Sequence, residues 1–112
     1  VNPIQWIADL IQAPKRRQIA FDHVVLGVID DFYGHGYGVP ILKELTHRTG
    51  RFISIGELYT AFDRLEQAGL VTSREGDPTA ERGWRPRRYY TITKAGVDWW
   101  NTHRAEENTP DD

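Results

Sequence analysis

Arg82, Arg85, Arg87, Arg88 and Lys94 fall in one short stretch with no acid between Arg82 and Thr93, and Trp84, Tyr89 and Tyr90 lie among them. A guanidinium pairs with phosphate through two parallel hydrogen bonds. Each phosphate neutralised steepens the fall of log K with log salt by about 0.9. The chemistry of this stretch is therefore contact with a nucleic-acid backbone. The competing reading is internal: Glu75, Asp77 and Glu81 lie just upstream and can pair with the same arginines. A second group runs from Ser54 to Ala68. Ser54, Gly56 and Thr60 are small enough for a backbone and two hydroxyls to approach a groove. Glu57, Thr60 and Arg64 lie on the side away from Leu58 and Leu65. Glu57 can accept from a cytosine amino group, or it can close a capping box with Ser54. Glu57, Asp63 and Glu66 outnumber Arg64 here and would repel phosphates. Most of the affinity is therefore expected from the basic stretch, from Arg51 and from helix N-termini.

Other chemistries have little to stand on. There is no cysteine, so no disulfide framework and no thiolate site. His23, His35, His47 and His103 share no metal-ligand spacing. Ser54 and Ser73 are the only serines, and neither sits in a nucleophile-elbow motif. Neither an enzyme nor a cofactor site is expected. Gly34, Gly36 and Gly38 alternate, but a helical pattern rather than a strand precedes them, so they are not a dinucleotide fingerprint.

These residues need a scaffold, and the hydrophobic periodicity supplies one. Asn2 and Pro3 look like the start of a short helix carrying Ile4, Ile7, Leu10 and Ile11, with Pro14 as its stop. Such a helix cannot stand alone and must dock on something. After Lys15, Arg16 and Arg17, a second helix is expected over Gln18–Phe32, with Phe21, Val24, Val25, Val28 and Phe32 on one face. A third covers Tyr37–Arg48, and Gly50 is available as a left-handed stop. A fourth begins at the Ser54 cap and ends at Gly69. Leu70–Arg74 and Arg87–Ile92 read as two strands of a hairpin with a long polar tip. Thr93 can cap a last helix from Lys94 to about Glu107, and Asn108–Asp112 reads as a disordered acidic tail. The fold class expected is mainly α with a small β-hairpin (α+β): a winged helix-turn-helix with an additional N-terminal helix and a short C-terminal helix. The N-terminal helix occupies 1–14, the winged domain 18–93 and the C-terminal helix 94–107. In that arrangement the second helix of the helix-turn-helix enters the major groove, and the hairpin reaches to the phosphates beside it.

Several segments, taken in order, resemble the PadR family of bacterial transcriptional regulators. They are Val25-Leu26-Gly27-Val28-Ile29, His35-Gly36-Tyr37-Gly38, Ser54-Ile55-Gly56-Glu57-Leu58-Tyr59, Arg64-Leu65-Glu66-Gln67-Ala68-Gly69-Leu70-Val71, and Arg87-Arg88-Tyr89-Tyr90-Thr91-Ile92-Thr93-Lys94-Ala95-Gly96. The likeness covers roughly residues 19–100. It implies a dimeric, DNA-binding regulator, usually a repressor released by a small molecule. The family usually has proline before the glycine of the reading helix and after its tyrosine; this chain has Ile55 and Thr60 there. In the resemblance the glycine-rich segment is the turn into the helix-turn-helix, where His35 and Tyr37 reach a phosphate. The candidate contacts to double-stranded DNA are then His35, Tyr37, Arg51, Ser54, Gly56, Glu57, Tyr59, Thr60, Arg64, Arg82, Arg85, Arg87 and Arg88. Family dimers usually form through a long final helix, and only about a dozen residues after Thr93 are available here. The homodimer interface is therefore expected from Ile4, Trp6, Ile7, Leu10 and Ile11 together with Val97, Trp99 and Trp100. The alternative for the two last tryptophans is packing within one chain, against the face of Phe21.

Two competing functions stand beside DNA binding. One is a winged-helix protein-interaction module, favoured by the acidic reading helix. The other is a sensor holding a small-molecule effector in an aromatic pocket at the dimer interface. Length and charge bound the rest. The 112 residues allow one domain, 39% of them are hydrophobic, and the formal net charge is −2. Val24–Ile29 is too short to span a bilayer. The early basic cluster follows an apolar segment, the reverse of a signal peptide. A cytoplasmic protein without membrane contact is expected. The −2 does not argue against nucleic acid, because Glu106, Glu107, Asp111 and Asp112 lie at the end of the chain, apart from the basic stretch.

Overall fold

The first helix runs straight through the residue expected to stop it. The computed structural model describes residues 4–83 and 86–107 and has one helix, α1 (Gln5–Asp31), where the sequence pattern predicts two separated at Pro14. A proline inside a helix loses one hydrogen bond and costs about 3 kcal/mol. The residues around it, Ala13, Lys15, Arg16, Arg17 and Gln18, are all good helix formers with no glycine among them. With no second breaker to reinforce it, Pro14 is carried inside the helix. Residues 5–14 of the expected 1–14 helix are therefore the outer part of α1, with no break before 18–93. Asn2, Pro3 and the tail Asn108–Asp112 lie outside the described residues.

The remaining order is α2 (Gly38–Thr49), α3 (Ile55–Gln67), β1 (Val71–Glu75), a 3-10 turn at Ala80–Arg82, β2 (Arg88–Ile92) and α4 (Lys94–Glu107). This is the expected winged helix-turn-helix, mainly helical with one antiparallel hairpin. Gly50 takes the left-handed conformation that closes α2, with φ 69°, and its N–H donates to Thr46 O at 2.9 Å. Val71 pairs with Ile92, Ser73 with Tyr90 and Glu75 with Arg88 across the hairpin. The loop before α2 joins this sheet by one bridge, Gly36 to Tyr90. A Cβ at Gly36 would stand 2.9 Å from Phe32 Cβ and 3.0 Å from Ile41 Cδ1, so the bridge needs a glycine. Thr93 caps α4 as expected, accepting from Gly96 N at 3.0 Å.

Every element contributes to one core. Val25, Leu26, Val28 and Ile29 come from α1, Ile41 and Leu45 from α2, and Leu58, Ala61, Phe62 and Leu65 from α3. Val71 and Tyr90 close it from the hairpin. Phe62 stacks on Tyr90 with ring centroids 4.0 Å apart, which ties α3 to β2. Trp99 and Trp100 of α4 are half-buried against the same core. Trp100 also stacks on the buried His23 of α1 at 4.5 Å, and the His23 ring Nε2 lies 2.9 Å from Trp100 O. Part of each tryptophan thus packs within the chain, and each keeps a partly exposed remainder.

Burial pushes the Tyr90 phenol from its ordinary 10.0 up to about 12. A raised pKa means the folded state holds the proton more tightly. Stability from this group is therefore whole below about pH 10 and is lost as pH rises towards about 12. Urea denaturation of the wild type should show a declining midpoint over that window, and Tyr90→Phe should flatten the decline. A decline of equal steepness in both proteins would contradict this assignment.

Candidate nucleic-acid interface

An α-helix presents residues three and four apart on one face. With Leu58, Ala61, Phe62 and Leu65 turned into the core, Gly56, Thr60, Asp63 and Gln67 form the outward face of α3, and all four are exposed. Gly56 and Thr60 were expected there. Asp63 and Gln67 were not among the expected contacts, although they lie seven residues, two helical turns, after Gly56 and Thr60. Ser54 accepts from Glu57 N at 3.0 Å, so the first half of the capping box forms. The second half does not. The Glu57 carboxylate instead accepts from Arg51 Nη2 at 2.9 Å.

The acids of α3 are therefore largely satisfied inside the fold. Glu57 is held by Arg51, which also lies over the Phe21 ring at 5.3 Å. Glu66 accepts from Ser73 of β1 at 2.6 Å. Asp63 is the acid left on the outward face. The expected phosphate repulsion falls accordingly.

Arg64 takes a different role from the one its spacing suggests. Its Nη2 and Nε donate to the two oxygens of Asp22 on α1, at 2.6 and 3.1 Å. Asp22 is buried, at 7% exposure, so the pair is a clamp between α3 and α1. Hydrogen bonding to Asp22 holds the Arg64 guanidinium above its ordinary pKa. Arg64 lies beside α3's outward face and is committed to the scaffold. The signal available in sequence was Asp22 itself: it shares a helical face with Val25, Leu26 and Ile29, and a carboxylate on an apolar face needs a partner.

On the other flank of α3 stand the loop before α2 and the base of the hairpin. A Cβ at Gly38 would meet Tyr59 Oη at 2.7 Å, so Tyr59 leans over the start of α2. Tyr37 does not reach outward from its loop. Its ring lies edge-on to Tyr89 at 5.7 Å, with the Arg87 guanidinium over it at 4.3 Å. Arg74 stacks on Tyr89 at 4.6 Å and donates to Gly34 O. The result is an alternating array of Arg87, Tyr37, Tyr89 and Arg74 that stiffens the hairpin base, with Arg74 exposed and Arg87 half-buried. Arg88 is exposed and pairs with Glu75 at 3.3 Å and with Ser73 at 3.0 Å, the cross-hairpin pairing that was the competing reading. Surface pairs of this kind contribute little and exchange readily. Lys94 pairs with Asp98. His35 is exposed at the loop, Arg82 is half-buried in the 3-10 turn, and Arg85 and Trp84 lie outside the described residues.

Of the expected dimer residues, Ile4 just before α1, Ile7 on its outer part and Val97 on α4 are exposed. The side chains of Trp6, Leu10 and Ile11 lie outside the described residues. No group of acids and histidines able to hold a metal ion occurs among the described residues. No helix there is long and apolar enough to cross a membrane.

The family model for the PadR-like transcriptional regulators matches residues 25–100, most of the winged fold just described. This chain belongs to that family. A transcriptional regulator from Clostridium thermocellum is 30% identical, with a TM-score of 0.62 over 76% of this chain and 79% of that one. A PadR-like transcription factor from Bacteroides fragilis superposes with a TM-score of 0.70 at 18% identity, covering 83% of this chain and 84% of the other. A PadR family regulator from Eggerthella lenta covers 95% of this chain and 87% of its own at 23% identity, with a TM-score of 0.59. No curated protein gives a significant match. The PadR-like regulators are a family of transcription factors.

The clamp has a measurable consequence. Asp22→Ala strips a buried guanidinium partner and is expected to destabilise the fold by about 1–3 kcal/mol, read from the urea midpoint. A loss under about 0.5 kcal/mol, the range of an ordinary surface substitution, would show that the pair does not clamp α3 to α1.

Proposed function

We propose that this PadR-like protein is a repressor that binds a pseudo-palindromic operator as a homodimer. The reading rests on one observation above the others: α3 is anchored through one face and both flanks while Gly56, Thr60, Asp63 and Gln67 stay open to solvent. A helix of that kind can enter a major groove about 12 Å wide. Gly56 and Thr60 let it approach closely, Asp63 can accept from a cytosine amino group, and Gln67 can pair with adenine. The hairpin would lie along the neighbouring backbone, with Arg74, Arg87 and Arg88 at its base.

The homodimer follows from apolar surface that one chain leaves uncovered. Ile4 just before α1 and Ile7 on its outer part are exposed, and Val97 is open on α4. Two copies joined there would present two α3 helices, matched to half-sites about one helical turn apart. The protein-interaction reading is weaker, because Glu57 shares its charge with Arg51 and leaves Asp63 and Glu66 as the acids of α3 without a cation.

A small-molecule effector is supported by a different observation. A cavity of about 180 Å³ lies between α1, α2 and α4, lined by Leu26, Gly27, Arg48, Ile92, Val97 and Trp100 among others. The buried Trp100 indole N–H has no hydrogen-bond partner among the described residues. That cavity sits inside one protomer, at the joint between the winged core and α4. A ligand that fits one α4 position better than another would shift the population of dimer geometries.

Arg87→Ala combined with Arg88→Ala should weaken binding to the gene's own upstream region and to random duplex alike. The slope of log K against log salt should become shallower by up to about 1.8. A loss confined to one sequence, with the slope unchanged, would contradict the phosphate role. Binding that is insensitive to salt in the wild type would contradict DNA recognition altogether.

A further inference from the structure

Because α1 continues through Pro14, its Lys15–Gln18 turn is fixed rigidly to the winged core instead of belonging to a separately docked helix. That turn stands beside α3. Pro14, Arg17, Gln18 and Phe21 of α1 face Arg51 and, on α3, Glu57, Thr60 and Arg64, across an open groove of about 390 Å³. The charges on its walls are arranged unevenly. Arg51 is paired with Glu57, and Arg64 with Asp22. Arg17 is exposed, and no ion pair joins it to any described residue. The groove therefore carries an uncompensated positive charge on the α1 side.

This side is the flank of α3 away from the hairpin. Glu57 and Arg64 point towards α1, whereas Tyr59 leans over α2 and Glu66 bonds to Ser73 of β1. An α-helix with its side chains is about 10–12 Å across, and the major groove is about 12 Å wide. A helix seated there has one phosphate strand along each flank. The hairpin supplies cations for one strand. We propose that the α1–α3 groove seats the other, with Arg17 meeting a phosphate and Gln18 donating beside it. The inference rests on α3 being the reading helix and adds a second backbone contact that the basic hairpin alone does not provide. It also gives α1 a role in DNA binding distinct from dimer contact.

The test compares substitutions in the full chain, with binding to the gene's own upstream duplex and to a random duplex of equal length measured over a salt series. Arg17→Gln should weaken both by about ten-fold at moderate salt and reduce the salt slope by about 0.9. Arg17→Lys should keep the slope. Arg16→Gln removes the same charge from the far side of α1, where the 100° helical step places it relative to Pro14, Gln18 and Phe21. It should change affinity less than about two-fold, as expected for a charge held beyond a Debye length of about 8–10 Å. All these residues are exposed, so far-ultraviolet circular dichroism and the urea midpoint should stay at wild-type values. Equal losses from Arg16→Gln and Arg17→Gln would overturn the site, because only net charge would then matter. If Arg17→Gln binds like wild type while the Arg87 and Arg88 variants weaken, the second contact is wrong and the reading of α3 stands. If none of them weakens binding, both are wrong.

Discussion

A reading helix has to be immobile on one side and empty on the other, and the stack of Phe62 on Tyr90 is where this fold meets that requirement. Phe62 is fully buried and sits mid-way along α3; Tyr90 is the central residue of β2. Their contact fixes the helix to the hairpin, so the two surfaces proposed to face a duplex keep one relative position. The other anchors are arranged around it. Gly36 bridges to Tyr90 and brings the loop before α2 onto the sheet, and the Asp22–Arg64 clamp holds α3 to α1. Loss of the stack would loosen the helix and the hairpin together, since among the described residues no other aromatic pair joins them.

Charge is then distributed by what the anchors consume. Arg64 and Arg51 are drawn into the scaffold, and in exchange Glu57 and Asp22 cease to act as free acids. Glu66 is taken up by the hairpin through Ser73. What remains on α3 without a cation is Asp63 on the outward face and Glu66 beside the hairpin, between two sets of cations, Arg74, Arg87 and Arg88 on one flank and Arg17 on the other. The formal charge of −2 describes none of this. It adds acids that are paired with cations of the scaffold, or that sit at the far end of the chain, to cations on the two flanks of α3.

Most of the architecture was legible in the sequence because its signals are local. Ser54 marks the start of α3, Gly50 the end of α2, and Thr93 the start of α4, and each acts through hydrogen bonds that span a few residues. Pro14 misled for the same reason: its local cost is real, but the helix formers on both sides and the packing of Val25, Leu26, Val28 and Ile29 farther along outweigh it. The site was less legible. Arg64 and Asp22 are 42 positions apart, and Arg87 meets Tyr37 across the sheet, so no spacing rule links them. Helical periodicity could tell that Arg64 lay off the core face, but not that an acid on α1 was waiting for it. The alternation of exposed positions along α3 did hold Gln67 and Asp63, which complete the outward face.

The account stands on α3 of two joined chains lying in successive turns of the major groove. Footprinting of the gene's upstream region with the purified protein tests this most directly. The account predicts two protected half-sites related by an inverted repeat, about one helical turn apart, with the backbone protected on both sides of each groove. A single protected half-site without symmetry, or no protection beyond that on random duplex, would contradict it.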